Sequence, residues 1–106
     1  MMRRNKYNAI KTVVNGQTCD SKLEAKHYAN LLLAEKQGAI TDLKLHPRYP
    51  VEVCGKKICT VVLDFEYIQE GEKKYVDSKG VYTNESKLRH KLLEAVYNIK
   101  VDIWRK

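Results

Sequence analysis

The stretch that most constrains this chain is Thr60–Gly80, TVVLDFEYIQEGEKKYVDSKG. Two runs rich in Val, Ile, Tyr and Phe are split by Glu70-Gly71, a dipeptide suited to a tight hairpin turn. Such a turn sets Asp64 opposite Asp77 and Val62 opposite Lys79. Side chains alternate along strands, so Val62, Asp64, Asp77 and Lys79 share one face. Val61, Leu63, Phe65, Val76 and Ser78 point to the other. Two carboxylates directly opposed across a strand pair repel, and their neighbours are too apolar to leave them well hydrated. A divalent cation between them is the economical resolution, with Lys79 adding positive charge alongside. Solvated strand charges are the competing account of these three residues, and the rest of the chain has to decide between them.

A chain of 106 residues is expected to form one small domain with little room for a second. A basic arm, residues 1–8, precedes a single domain spanning 9–106. Twenty Lys and Arg against thirteen acids leave a net charge of +7, which favours a polyanionic partner. No apolar run reaches the length of a membrane span, and Met1-Met2-Arg3-Arg4-Asn5-Lys6 has no apolar stretch behind it to make a signal peptide. The three cysteines are odd in number and lack metal-ligand spacing. Free thiols and a cytoplasmic protein are therefore expected, although Cys54 and Cys59 bracket a turn that lets them face each other.

In chain order, Asn15-Gly16 predicts an N-terminal β-hairpin between Ala9–Val14 and Gln17–Cys19. Ser21-x-x-Glu24 then opens a helix that runs to about Gln37 and stops at Gly38. Its apolar stripe takes in Ala25, Tyr28, Leu31, Leu32 and the stem of Glu35. Glu24 heads that stripe, and two readings of it compete: the acid of the Ser21-x-x-Glu24 capping box, which the spacing favours, or a third acid beside the hairpin. Ile40–Leu45 predicts a strand, and His46-Pro47-Arg48-Tyr49-Pro50 an irregular break. Val51–Cys54 and Ile58–Ile68 are expected to pair through Gly55-Lys56-Lys57. Thr83 or Asn84 is the expected N-cap of a second helix, about Glu85–Tyr97, buried through Leu88, Leu92, Ala95, Val96 and then Ile99. Ile99–Trp104 closes the chain as a strand. His27, His46 and His90 have no ligand spacing and read as structural or surface residues. Trp104 and most tyrosines read as core or rim.

Nearly the whole chain, in order, resembles a family of small phage and prophage proteins within the PD-(D/E)xK nuclease superfamily. The residues that carry the resemblance are Lys11-Thr12-Val13-Val14-Asn15-Gly16 and Asp20-Ser21-Lys22-Leu23-Glu24-Ala25-Lys26-His27-Tyr28. Leu43, Pro47, Asp64-Phe65, Asp77-Ser78-Lys79-Gly80, Thr83 and Leu88-Arg89-His90-Lys91-Leu92 continue it. Val76 stands where the pattern would carry a further acid, which leaves Asp77 alone in that role. The resemblance implies an α/β, restriction-endonuclease-like α-β-β-β-α-β core: a mixed sheet flanked by two helices. It places catalytic roles on Glu24, Asp64, Asp77 and Lys79. Magnesium, with manganese as substitute, would be held by Asp64, Asp77, the Ser78 carbonyl and Glu24, directly or through water.

The activity so implied is metal-assisted hydrolysis of phosphodiester bonds in DNA, directed at branched or Holliday-junction substrates and performed by a homodimer in the host cytoplasm. Lys87, Arg89 and Lys91 on the second helix, with Lys22, Lys26 and Arg48, form the expected nucleic-acid contact surface. No membrane partner is expected. The competing classes are a non-catalytic, basic nucleic-acid-binding protein and a phage protein that acts on a host factor.

Overall fold

The computed structural model of the chain describes residues 12–14, 17–19 and 21–105. Strands β1 (Thr12–Val14) and β2 (Gln17–Cys19) pair antiparallel with Val14 opposite Gln17, in the register that an Asn15-Gly16 turn requires. That turn and the basic arm at residues 1–8 lie outside the described residues.

Helix α1 (Lys22–Lys36) starts where Ser21 accepts the Glu24 N–H at 3.1 Å and ends at Gln37, followed by Gly38 at φ +81°. Only glycine adopts that backbone without cost. Ala25, Tyr28 and Leu31 are buried as the stripe requires, and Leu32 is partly so. Glu35 departs from it: the side chain is exposed and its carboxylate accepts the Leu43 N–H at 3.1 Å. This contact holds the bulge at Asp42, where β3 (Thr41–Leu45) shifts register.

The central feature is one long, kinked hairpin. β4 (Arg48–Val53) and β5 (Lys56–Val62) form a two-stranded ribbon, while β3 and β6 (Phe65–Gln69) belong to a separate four-stranded sheet. Yet the pairs Leu45↔Phe65 and Arg48↔Val62 continue a single register across the gap. His46 therefore stands opposite Asp64 and Pro47 opposite Leu63. Two backbone bonds bridge the gap, His46 N–H to the Asp64 carbonyl (2.9 Å) and Leu63 N–H to the Pro47 carbonyl (3.1 Å). His46 sits at φ +55°, a left-handed conformation that is uncommon outside glycine. The kink is local to these four residues.

The segment expected to be irregular, Arg48-Tyr49-Pro50, is strand; Pro50 is tolerated because a two-stranded ribbon consists of edges. The turn is Cys54-Gly55, both at positive φ, instead of Gly55-Lys56-Lys57. Cys59 lies opposite Val51, so Cys54 and Cys59 do not face each other and both are free thiols. The strand expected to run unbroken through Asp64 is split by the kink.

The four-stranded sheet has the order β3-β6-β7-β8, with β7 (Glu72–Ser78) antiparallel to β6 and parallel to β8 (Val101–Trp104). It is thus a mixed sheet accompanied by two helices. The Glu70-Gly71 turn sets Phe65 opposite Val76, as anticipated. Phe65, Tyr67 and Val76 bury one face of the sheet against α1, with Tyr28 stacked on Phe65 at 6.0 Å. Phe65 has no exposed surface, and its truncation to Ala would cost about 3–5 kcal/mol. A second core gathers Val51, Val61, Leu63, Leu93 and Ile99, joining the ribbon to α2 (Asn84–Tyr97). Tyr49 ties the ribbon to the sheet by donating its hydroxyl to the buried Glu66, which also meets Lys44 and Lys73 at 3.5 Å.

Helix α2 is capped by Thr83, one of the two expected caps, and buries only part of the expected face: Leu92 packs half-buried on the second core and Ile99 is buried. His90 and Leu93 are buried, whereas Leu88 is 59% exposed and Ala95 and Val96 also face outward. In this orientation His90 meets Asp77 and Leu93 enters the second core. Trp104 packs against His27 and Tyr67, as a core or rim residue should.

Candidate functional site

The kink brings the acids together. Glu24 enters from the first turn of α1 and is 2% exposed. Asp64 sits at the bend between β5 and β6, and Asp77 and Ser78 are the last two residues of β7. The Asp64 N–H donates to Asp77 Oδ1 at 2.9 Å, and Asp64 Oδ2 accepts the Ser78 N–H at 2.7 Å. Lys79 follows at once and places its Nζ 3.6 Å from Asp77 Oδ2. All four expected catalytic residues thus converge on one end of the β6–β7 pair.

The ligand geometry differs from the expected one. Glu24, His46 and Asp64 each offer a ligand atom, and these atoms lie within 4.8 Å of one another. Asp77 is not part of this group. Its Oδ2 accepts from His90 Nε2 at 2.7 Å, and its Oδ1 is held by the Asp64 N–H. Ser78 contributes its backbone N–H to Asp64 and its hydroxyl to His27.

Each of the three histidines, read from sequence as structural or surface residues, touches a site residue. His46 Nε2 lies 2.5 Å from Glu24 Oε1. His90 is buried between Asp77 and Tyr82, whose hydroxyl is 2.7 Å from His90 Nδ1. His27 Nε2 lies 3.2 Å from the Arg105 carbonyl, so Nε2 carries the proton. Its Nδ1 then accepts the Ser78 hydroxyl at 2.5 Å. Burial pushes the His27 pKa down and keeps that ring neutral, outweighing the Arg105 carbonyl. No spacing in the sequence brings these rings forward; His46 is recognisable only once it is known to face Asp64.

The electrostatics centre on Asp64. Burial, then the charges of Asp77 and Glu24, push its pKa from 3.8 up to about 8, against the Ser78 N–H and Lys79. A carboxyl held in its protonated form first by burial and then by neighbouring carboxylates is one that added positive charge would ionise. The donor set is two carboxylates and one imidazole. Hard oxygen ligands suit Mg²⁺, and the added imidazole suits Mn²⁺ and other first-row ions. The site residues therefore fit a divalent cation, and His46 offers a potential ligand atom that its sequence position does not announce.

Of the expected nucleic-acid contacts, Lys22, Lys26, Arg48, Lys87, Arg89 and Lys91 are all exposed. Arg89 pairs with Glu85 one turn earlier at 2.5 Å, while Lys87 and Lys91 turn toward a hollow beside Tyr82. Among the described residues, no helix is long and apolar enough to cross a membrane.

Residues 4–105 match the family model described as "Protein of unknown function (DUF1064)", and the chain belongs to that family. No curated protein matches it.

Proposed function

We propose that this member of the DUF1064 family is a divalent-metal-dependent nuclease that hydrolyses phosphodiester bonds in DNA, with branched or four-way DNA as substrate and a homodimer as the working form. The observation that carries the reading is the Glu24–His46–Asp64 group, set beside Asp77 and Lys79 in a chain of net charge +7. The element order α1, β3, β6, β7, α2, β8 supports a restriction-endonuclease-like core, with the β4–β5 ribbon as an outgrowth of β3 and β6. The substrate class and the dimer come from the resemblance to phage enzymes that cut branched DNA.

In this reading Glu24, His46 and Asp64 hold the ion. A divalent cation there supplies the positive charge that polarises a phosphoryl oxygen and acidifies water. Asp64 must release its proton to serve as a ligand, and His46 must free the nitrogen that now faces Glu24. Asp77 orients Asp64 through the backbone and anchors Lys79. Lys79, half-buried and cationic, offsets the charge that develops on the phosphate or positions the attacking water. His90 holds Asp77, and His27 holds Ser78.

A second reading, a non-catalytic nucleic-acid-binding protein, is favoured by one observation. Asp77 already has His90, Lys79 and the Asp64 N–H as partners, as a purely structural buried acid would. The experiment that separates the two is incubation with Mg²⁺ or Mn²⁺ and a panel of linear, nicked, flapped and four-way DNA. Metal-dependent cutting that Asp64→Asn abolishes, with DNA binding retained, is the expected result. DNA binding without cutting on any substrate supports the second reading, and full activity in Asp64→Asn removes Asp64 from the site. Sedimentation of the wild type with four-way DNA tests the dimer, and a monomer under all conditions counts against it.

A further inference from the structure

A hollow of about 310 Å³, lined by His90 but not by Asp77, lies between α2 and the start of β8. Its volume falls near the lower end of the range for small-molecule sites, about 300–1,000 Å³. Three lysines, Lys87, Lys91 and Lys100, line it against a single acid, Glu94. Tyr82 and His90 form one wall and Ile99, 6% exposed, part of the floor. Lys87 Nζ sits 5.6 Å from the centre of the Tyr82 ring, so this amine is held over the wall. Like charges gathered round one concavity repel, and an anion relieves them. The apolar floor adds a surface that a bare inorganic anion leaves unused.

We infer that this hollow is a nucleotide-binding subsite that takes one phosphate-bearing nucleotide of a bound strand. The lysines hold its phosphate, and the Ile99 floor and Tyr82 wall meet its sugar and base. The inference deepens the nuclease reading and rests on it for the strand to which the nucleotide belongs. The wall gives the subsite a direct connection to the acids: His90 Nδ1 meets the Tyr82 hydroxyl at 2.7 Å, and His90 Nε2 meets Asp77 at the same distance. A nucleotide seated against Tyr82 and His90 thus lies one side chain away from Asp77. It fixes the position of the strand relative to the Glu24–His46–Asp64 group.

The test uses the full chain in a metal chelator at low salt. Thymidine 5′-monophosphate, thymidine and inorganic phosphate are titrated separately while backbone amide shifts are followed. The monophosphate is expected to move the amides of residues 87–94 and 99–101, to bind at least tenfold more tightly than phosphate, and to outcompete thymidine. A folded Lys87→Gln/Lys100→Gln variant should bind it at least tenfold more weakly. Three results each overturn the inference: no shift at these residues, unchanged affinity in the variant, or phosphate binding as tightly as the nucleotide, which would leave an anion site only. A parallel Mn²⁺ titration of wild type and Asp64→Asn keeps the two readings apart. Nucleotide binding without Mn²⁺ binding sinks the metal site alone, and the converse sinks the subsite alone.

Discussion

His46 faces Asp64 across the kink of a single hairpin, with its backbone on the Asp64 carbonyl at 2.9 Å and its ring on Glu24 at 2.5 Å. One residue therefore joins the helix acid to the strand acid. It does so from φ +55°, a conformation that disfavours most side chains and that histidine tolerates better than most. The bend, the left-handed residue and the acid cluster coincide, as strained backbone and functional groups often do.

The first prediction concerns pH. Folded Asp64 holds its proton up to about pH 8, whereas an ordinary Asp releases it near 3.8. Between those values the folded state binds more protons than the unfolded one, so stability falls as pH rises. The contribution is fully present below pH 3.8 and is lost as pH passes through about 8. In chelator, the melting temperature should decline over this window, and Asp64→Asn should flatten the decline. Mn²⁺ binds the deprotonated ligands, so its stabilising effect should grow with pH. Thermal melts from pH 5 to pH 9, with and without Mn²⁺, check both signs. A metal-free slope identical in wild type and Asp64→Asn would show that Asp64 is not the titrating group.

How far the site can be read from sequence follows from the hairpin registers. Glu70-Gly71 fixes Phe65 against Val76 with no interruption, so the proximity of Asp64, Asp77 and Lys79 was legible. Ser21 as cap and Gly38 as stop were legible for the same reason: each is a local rule with a local cause. The Cys54-Gly55 hairpin is different. Its turn pairs Val53 with Lys56 and Glu52 with Lys57, and then a bulge shifts the ladder so that Val51 meets Cys59. Without that bulge Asp64 would face Leu45, and His46 would face Leu63. A one-residue slip exchanges the two faces of a strand, and nothing in the residue types announces it. The face of α2 was hidden by a similar cause. Leu88, Leu92, Ala95 and Val96 suggest one stripe, but of these Leu92 packs on the core while His90, on Asp77, and Leu93 bury the adjoining face.

The second prediction isolates His46. Asn accepts the left-handed backbone about as well as His and is too short to carry a ligand nitrogen to the same point. His46→Asn should therefore fold with the kink intact. Loss of a ligand or of the group that orients one commonly costs about ten- to a hundredfold in metal affinity. Mn²⁺ affinity measured by calorimetry should fall by that order, with little change in the metal-free melting temperature. Unchanged Mn²⁺ affinity in a folded His46→Asn would leave the ion to the carboxylates alone.

The last prediction separates the two roles of Glu24. Its backbone N–H is capped by Ser21 Oγ at 3.1 Å, while its carboxylate Oε1 meets His46 at 2.5 Å. The cap and the charge thus reside on different atoms. Ser21→Ala removes the cap and leaves the carboxylate in place, so it should cost about 1 kcal/mol of stability and little metal affinity. Glu24→Gln keeps the shape, the backbone bond and an oxygen for His46, but removes a negative charge from the acid cluster. That charge is one of those that push the Asp64 pKa up, so its loss should lower the Asp64 pKa and flatten the decline of metal-free stability with pH. The same change should weaken Mn²⁺ binding by about ten- to a hundredfold, since a ligand carboxylate is gone. Glu24→Gln should therefore be less pH-sensitive than wild type without metal yet poorer at binding the ion, while Ser21→Ala is ordinary in both respects. Melting curves and Mn²⁺ titrations on the two variants decide the matter. If both variants lose only stability and keep wild-type Mn²⁺ affinity, Glu24 is a cap and the ion, where it binds, is held without it.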